Sequence, residues 1–139
     1  MKSRNFADVA IGESAELTRT ITDADIVKFA EVSGDHNPIH LDEAYARNTF
    51  FKGRIVHGAL TTAFFSKLVA MDLLGSGTIL LSNTFRFKRP VRINDTITAK
   101  IEVIKKHDDN KRLTLKATCE NQDKEMAVEG EVVVMLMKQ

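Results

Sequence analysis

The chain has 139 residues, 43% of them hydrophobic and 28% charged, the balance of one globular domain rather than of a disordered chain. Its 20 Lys and Arg nearly cancel its 19 Asp and Glu, leaving a net charge of +1, so the cationic surplus of a general nucleic-acid binder is missing. The one cysteine, Cys119, excludes an internal disulfide and a multi-cysteine zinc site, and no apolar run reaches the ~20 residues that span a bilayer. The first residues, MKSRNFADVAIGES, hold no continuous apolar stretch of the kind a secretory leader carries. The expectation is one cytoplasmic domain, residues 1–139, with neither nucleic acid nor membrane as a partner.

In chain order, a first strand is expected near 15–20. Residues 22–33 then read as a helix: Thr22 is placed to cap it, Asp23 and Asp25 suit the positive end of its dipole, and Gly34 is a natural stop. Asp35-His36-Asn37-Pro38 is expected to interrupt the helix, because proline biases the preceding residue toward extended backbone, and a short helix restarts near Asp42 and runs through Ala46. A loop follows from Asn48 to Arg54. Residues 59–74 are apolar on nearly every side, which predicts a long buried central helix ended by Gly75-Ser76-Gly77. Beyond Gly77 the period changes to alternation. Strands are predicted over 79–88, 96–106, 112–121 and 124–137, with turns at Asn94-Asp95 and Asp108-Asp109-Asn110. The class is α+β: about five strands, mostly antiparallel, curving round one buried helix.

Reactive groups are densest in Ser33-Gly34-Asp35-His36-Asn37-Pro38-Ile39-His40. A carboxylate and an imidazole five positions apart, with a stiff Asn-Pro between them, suit general acid–base work on one water or substrate. A polar helix-end turn, with Asp35 capping and His40 packed or solvated, accounts for the same residues. Asp35, His36, His40 and His57 could also suggest a metal, but the His36/His40 spacing is broken by Pro38 and no metal is expected. A second stretch, Gly53-Arg54-Ile55-Val56-His57-Gly58, leads into the central helix. There Gly58 offers an unpaired backbone N–H at a helix start, able to hold an anion or an oxyanion; a tight turn is the plainer account, and His57 reads as structural. A third stretch sets Arg86, Lys88, Arg89 and Arg92 within seven residues around Pro90. These cations could meet phosphates or simply blunt a strand edge.

The run Phe29-Ala30-Glu31-Val32-Ser33-Gly34-Asp35-His36-Asn37-Pro38-Ile39-His40, followed by Ala46, resembles the signature of the MaoC-like (R)-specific enoyl-CoA hydratases. Ile55-Val56-His57-Gly58 and Phe85-x-Phe87-x-x-Pro90-Val91 also look like that family, in the same order, from about Gly12 onward. The resemblance implies the hot dog fold, a long buried helix in a curved antiparallel sheet, and a homodimer paired edge to edge. It implies hydration of a trans-2-enoyl-CoA, with Asp35 and His40 as the catalytic pair and Gly58 as backbone oxyanion donor. Ser66 is implied to orient the carboxylate, and Asn37 to hold the loop together. Coenzyme A would be part of the substrate rather than a cofactor, with Arg54, Arg86, Lys88, Arg89 and Arg92 as candidates for its phosphates and Leu60, Phe64, Leu80 and Leu81 as candidate tunnel residues. Ala59 stands where the family commonly has a larger residue, which leaves acyl-chain preference open, and His36 fills a variable position. A (3R)-hydroxyacyl-acyl carrier protein dehydratase is the alternative, and a non-catalytic acyl-CoA binding module or a hot dog thioesterase a further one.

Overall fold

A computed structural model describes residues 3–137; residues 1, 2, 138 and 139 of the expected domain lie outside it. Five strands, β1 (Ser14–Thr20), β2 (Thr78–Phe87), β3 (Thr96–His107), β4 (Arg112–Glu120) and β5 (Met126–Leu136), form one antiparallel sheet in the order β1-β3-β4-β5-β2. Alternation decides which face is covered. Ile97, Ala99, Ile101 and Val103 of β3 are fully buried, as are Leu113, Leu115, Ala117 and Cys119 of β4, and the residues between them point away from the core. Among the described residues no helix is long and apolar enough to cross a membrane.

Helix α1 (Asp23–Ser33) begins where the sequence predicts. The Thr22 side chain accepts the Asp25 N–H, the Asp25 carboxylate accepts the Thr22 N–H, and Gly34 closes the helix at φ +80°. The chain breaks after α1 as expected, with Asn37 at φ −55° and ψ 125°, but Pro38 also opens a turn that the sequence does not announce. It is the first residue of a helical turn, α2 (Pro38–Leu41), which precedes α3 (Glu43–Arg47). At a first helical position the missing N–H is not needed and the fixed φ suits the helix, and the Asn37 side chain caps the turn by accepting the Ile39 N–H.

The central helix also departs from the expectation. Regular α4 covers Gly58–Lys67 and gives way to a π-helical turn, Leu68–Leu73, in which Leu74 N–H reaches the Val69 carbonyl. Leu60, Phe65, Leu68, Val69 and Leu73 are buried, whereas Ala63, Ser66, Lys67 and Met71 face outward. The sheet therefore covers one side of this helix, not all of it. The uncovered side lies by the edge strand β2, where the pairing with β5 shifts at Leu81.

Gly130 lets β2 lie close against β5. A Cβ built there would stand 2.0 Å from the Thr84 carbonyl oxygen and 3.0 Å from the Phe85 Cα. Gly130→Ala is expected to force the two strands apart and to lower stability by about 1–3 kcal/mol, read as a lower urea midpoint at unchanged slope.

Candidate active site

The turn between α1 and α2 places Asp35. Its carboxylate accepts the Asn37 N–H, its own N–H donates to the Ser33 hydroxyl, and that hydroxyl donates to the Phe29 carbonyl. Asp35 is thus held by short local hydrogen bonds while its side chain stays 49% exposed. His40, one turn further on, is buried. Its Nδ1 lies 2.8 Å from the Ile55 carbonyl oxygen, so Nδ1 carries a proton and Nε2 faces Asp35. The Nε2 to Oδ2 distance is 4.0 Å. That is too long for a direct hydrogen bond, but an oxygen about 2.8 Å from both atoms closes a triangle on it. The geometry suits two groups gripping one water.

His57, which the sequence groups with Asp35 and His40 as a possible metal ligand and otherwise reads as structural, completes the cluster. Its ring stacks on His40, with centroids 3.9 Å apart and planes inclined by 29°. Nε2 lies 3.0 Å from the Asp35 backbone carbonyl, so it donates there. Ligand atoms of Asp35, His40 and His57 all fall within 4.8 Å of one another, and His36, raised beside them from the sequence, is not part of the group. Each imidazole gives one N–H to a carbonyl oxygen, which leaves one nitrogen per ring. The available signal was position: His57 directly precedes Gly58 at the start of α4. Burial holds the His57 imidazole below its usual range, its bond to the Asp35 carbonyl works against that, and the charges of His40 and His36 add to the lowering.

The start of α4 supplies the second element. The first intrahelical bond runs from Thr61 N–H to the His57 carbonyl, so the N–H groups of Gly58 to Leu60 precede the helical ladder. Gly58 and His40 line the same cleft of about 390 Å³. Phe87 roofs it, and a Cβ on Gly58 would meet the Phe87 ring at 2.8 Å, so glycine is what lets this ring cover the helix start. Phe50 and Phe51, stacked edge to face in the loop before α4, line the same cleft. An aromatic pair in a loop was the signal for them.

Other expected residues fall elsewhere. Ser66 lies eight residues along α4 from Gly58, about 12 Å by helical rise, and lines a separate cavity of about 270 Å³ beneath β2. Within one chain its hydroxyl is not brought to the Asp35 carboxylate. Leu80 lines that second cavity too, Leu81 is on the open edge, and Leu60 and Phe64 border a groove beside α1. The five basic residues divide. Lys88 and Arg89 line the His40 cleft, paired with Glu129 and Glu125. Arg54 is committed to the fold, its Nε donating to the His40 carbonyl and its terminal nitrogen to Asp23. Arg92 likewise donates to the Gly53 carbonyl. Arg86 alternates with Phe85 and Phe87 and so emerges on the opposite sheet face, by Lys116 and Glu129. Burial pushes the Cys119 thiol up to about 12, which removes it as a nucleophile.

A family model described as MaoC like domain matches residues 7–126. This chain belongs to the MaoC-like domain family. It is similar to an (R)-specific enoyl-CoA hydratase of Rhodospirillum rubrum, at 42% identity over 94% of this chain and 90% of the relative. It is 38% identical to a 3-hydroxybutyryl-CoA dehydratase of Methylorubrum extorquens, over 96% of this chain and 84% of that one. The solved (R)-hydratase of A. caviae involved in PHA biosynthesis superposes with a TM-score of 0.90 at 38% identity, over 94% of this chain and 98% of that one. The sheet wrapped on one helix is the hot dog fold, as in that structure.

The depressed His57 ionisation has a consequence for stability. Unfolded His57 takes up a proton near the ordinary imidazole value, about 6.5, whereas folded His57 takes it up only at lower pH. Between those values the unfolded state binds more protons, so stability is full above the unfolded value and falls as pH drops below it. Thermal melts from pH 7 to pH 5 are expected to show a falling midpoint, with a shallower fall in His57→Gln; an unchanged slope would contradict this account.

Proposed function

We propose that this chain is an (R)-specific enoyl-CoA hydratase, a hydro-lyase that adds water reversibly across the C2–C3 double bond of a trans-2-enoyl-CoA to give an (R)-3-hydroxyacyl-CoA. One observation carries the mechanism: the Asp35 carboxylate and the His40 Nε2 converge at 4.0 Å, with His40 on the cleft that Gly58 also lines. The names of the relatives support the reaction and its stereochemistry.

In this reading a water is held between Asp35 and His40. Its oxygen bonds to C3, one of its protons is taken by the pair, and a proton is returned to C2 on the same face. The two transfers belong to the pair as a unit. As C3 is attacked, negative charge moves onto the thioester oxygen, where the Gly58 N–H and the positive end of α4 meet it. The thioester itself acidifies C2, so the chemistry calls on no redox group or metal, and coenzyme A enters as part of the substrate. Lys88 and Arg89 stand where the coenzyme A phosphates would meet the protein. Asn37 keeps the turn in shape through its cap on Ile39. A cytoplasmic location goes with this reading.

The carrier has a second reading. Lys88 and Arg89 at the cleft would equally meet an acidic acyl carrier protein, with the same residues running the reaction as a dehydration. Rates on matched CoA and carrier-protein thioesters separate the two. Hydration of crotonyl-CoA is expected to appear as loss of the conjugated-thioester absorbance, with a 3R product. Asp35→Asn and His40→Ala are each expected to lower kcat by at least about 10²-fold; near-normal turnover in either variant would remove that residue from the mechanism.

We also infer a homodimer paired through β2. This ten-residue edge exposes Ile79, Leu80 and Leu81 beside the apolar cavity under α4, and an open apolar edge needs a partner. Light scattering should give twice the chain mass for wild type and the single-chain mass for Leu80→Lys; a monomeric wild type would refute the pairing.

A further inference from the structure

We propose that His57 is a positioning residue: its ring, stacked on His40 and hydrogen-bonded to the Asp35 carbonyl, sets the separation of the two side chains that hold the water. The proposal rests on the hydratase reading of Asp35 and His40.

Three observations converge on this histidine. It is only 2% exposed and lies between Phe29 of α1, with centroids 4.8 Å apart, and His40 of α2, with centroids 3.9 Å apart. Its Nε2–H reaches across to the Asp35 carbonyl, 22 positions away in sequence. It is also the residue before Gly58, at the cap position of α4, where its side chain makes no capping bond. One ring therefore touches the carboxylate-bearing turn and the imidazole and adjoins the proposed oxyanion donor.

Packing alone does not account for a histidine here. With the proton on Nε2, Nδ1 is a bare acceptor, and it is buried without a hydrogen-bond partner. A buried polar atom left unpaired opposes folding, and phenylalanine would fill the same space without it. What histidine adds over phenylalanine is the Nε2–H. What it adds over glutamine is a flat face for His40 to lie on. Loss of the face frees the His40 ring to turn about its Nδ1–H bond to the Ile55 carbonyl. Loss of the donor frees the Asp35 backbone to move away from α4. Either change alters the gap between Oδ2 and Nε2, and misplacement of about 1 Å in a catalytic pair can cost on the order of 10²-fold.

The charges around His57 fit this role. His40 faces it from α2, Asp35 and His36 lie in the turn after α1, Phe29 is the neutral neighbour from α1, and the Thr61 hydroxyl is the nearby polar group on α4, donating to the His57 carbonyl. Burial favours the neutral His57 ring, so it presents an uncharged face to His40 while its Nε2–H stays on the Asp35 carbonyl.

The test uses the full chain with crotonyl-CoA and two substitutions. His57→Phe keeps a ring and removes the donor; it is expected to lower kcat about tenfold or more with KM changed less than about threefold. His57→Gln returns an N–H near the Nε2 position and is expected to recover several-fold of that loss. Equal kcat per folded molecule in wild type and His57→Phe, with only the melting midpoint changed, would overturn the proposal in favour of simple packing. A second measurement needs neither variant nor substrate. In wild type labelled with 15N-histidine at pH 7, His57 should show the Nε2–H form with Nδ1 unprotonated, its proton donated to the Asp35 carbonyl. A His57 that carries its proton on Nδ1 instead would overturn the proposal. Absence of hydration by wild type would defeat the hydratase reading instead, and the resonances would still decide the His57 pairing.

Discussion

Four hydrogen bonds tie residues 35–40 to residues 54–57, and the geometry of the site depends on them. His57 Nε2 donates to the Asp35 carbonyl, His40 Nδ1 to the Ile55 carbonyl, Ile55 N–H to the Ile39 carbonyl, and Arg54 Nε to the His40 carbonyl. None belongs to a helix or to the main sheet. They cross between two loops that α1 and α4 deliver to one place. Bonds of this kind to backbone carbonyls fix both the ring orientation and the tautomer of a histidine. The Asp35 carboxylate itself accepts a bond only within its own turn, and so its exposed side chain can meet a substrate that the buried imidazole could not approach alone.

The sheet acts on this arrangement from the other side. β2 brings Phe87 down on Gly58, and β5 holds β2 through the close approach at Gly130. Phe65 of α4 stacks on Phe85, two residues before Phe87, so the roof of the cleft and the body of the helix are registered by the same strand. Lys88 follows at once, its N–H donating to the Ala127 carbonyl, and this anchors the basic pair Lys88 and Arg89 at the cleft. Lys88 and Arg89 lie beyond the last residue of β2 and line the cleft from there. Within the strand, alternation with Phe85 and Phe87 sends Arg86 to the far face.

Much of this was legible in the sequence. The Thr22 cap, the Gly34 stop and the alternation in β3 and β4 are local signals, and local chemistry decides them. The break at Pro38 is legible, but the turn Pro38–Leu41 is not, because a proline that stops one helix is equally suited to start the next and the Asn37 cap decides it. The π-turn after Lys67 and the bulge at Leu81 were not legible, because both answer to tertiary packing rather than to composition. The partly open side of α4 was hidden for a related reason. An apolar helix predicts burial, and a single chain does not state whether its own sheet or a second copy provides it. The basic residues show the limit of counting charges. Arg54 and Arg92 are cations in the sequence but tethers in the fold, and a side chain fastened to a carbonyl or to Asp23 is not available to a phosphate. His57 is legible as a structural histidine, but its partners, His40 and the Asp35 carbonyl, are not, because they are distant in sequence.

The arrangement of charge explains why the site is built from one carboxylate, two imidazoles and a helix start rather than from any pair of them. Asp35 stands 4.0 Å from the free nitrogen of His40, the His57 ring lies 3.9 Å from the His40 ring, and the Ile55 carbonyl holds the His40 Nδ1–H. A carboxylate and an imidazole nitrogen aimed at one water can between them take a proton and return one in a turnover. The negative charge that develops on the thioester oxygen in the proposed reaction would then fall to the backbone at Gly58, which cannot titrate. Protons and oxyanion are assigned to separate parts of the site, so stabilising one does not trap the other.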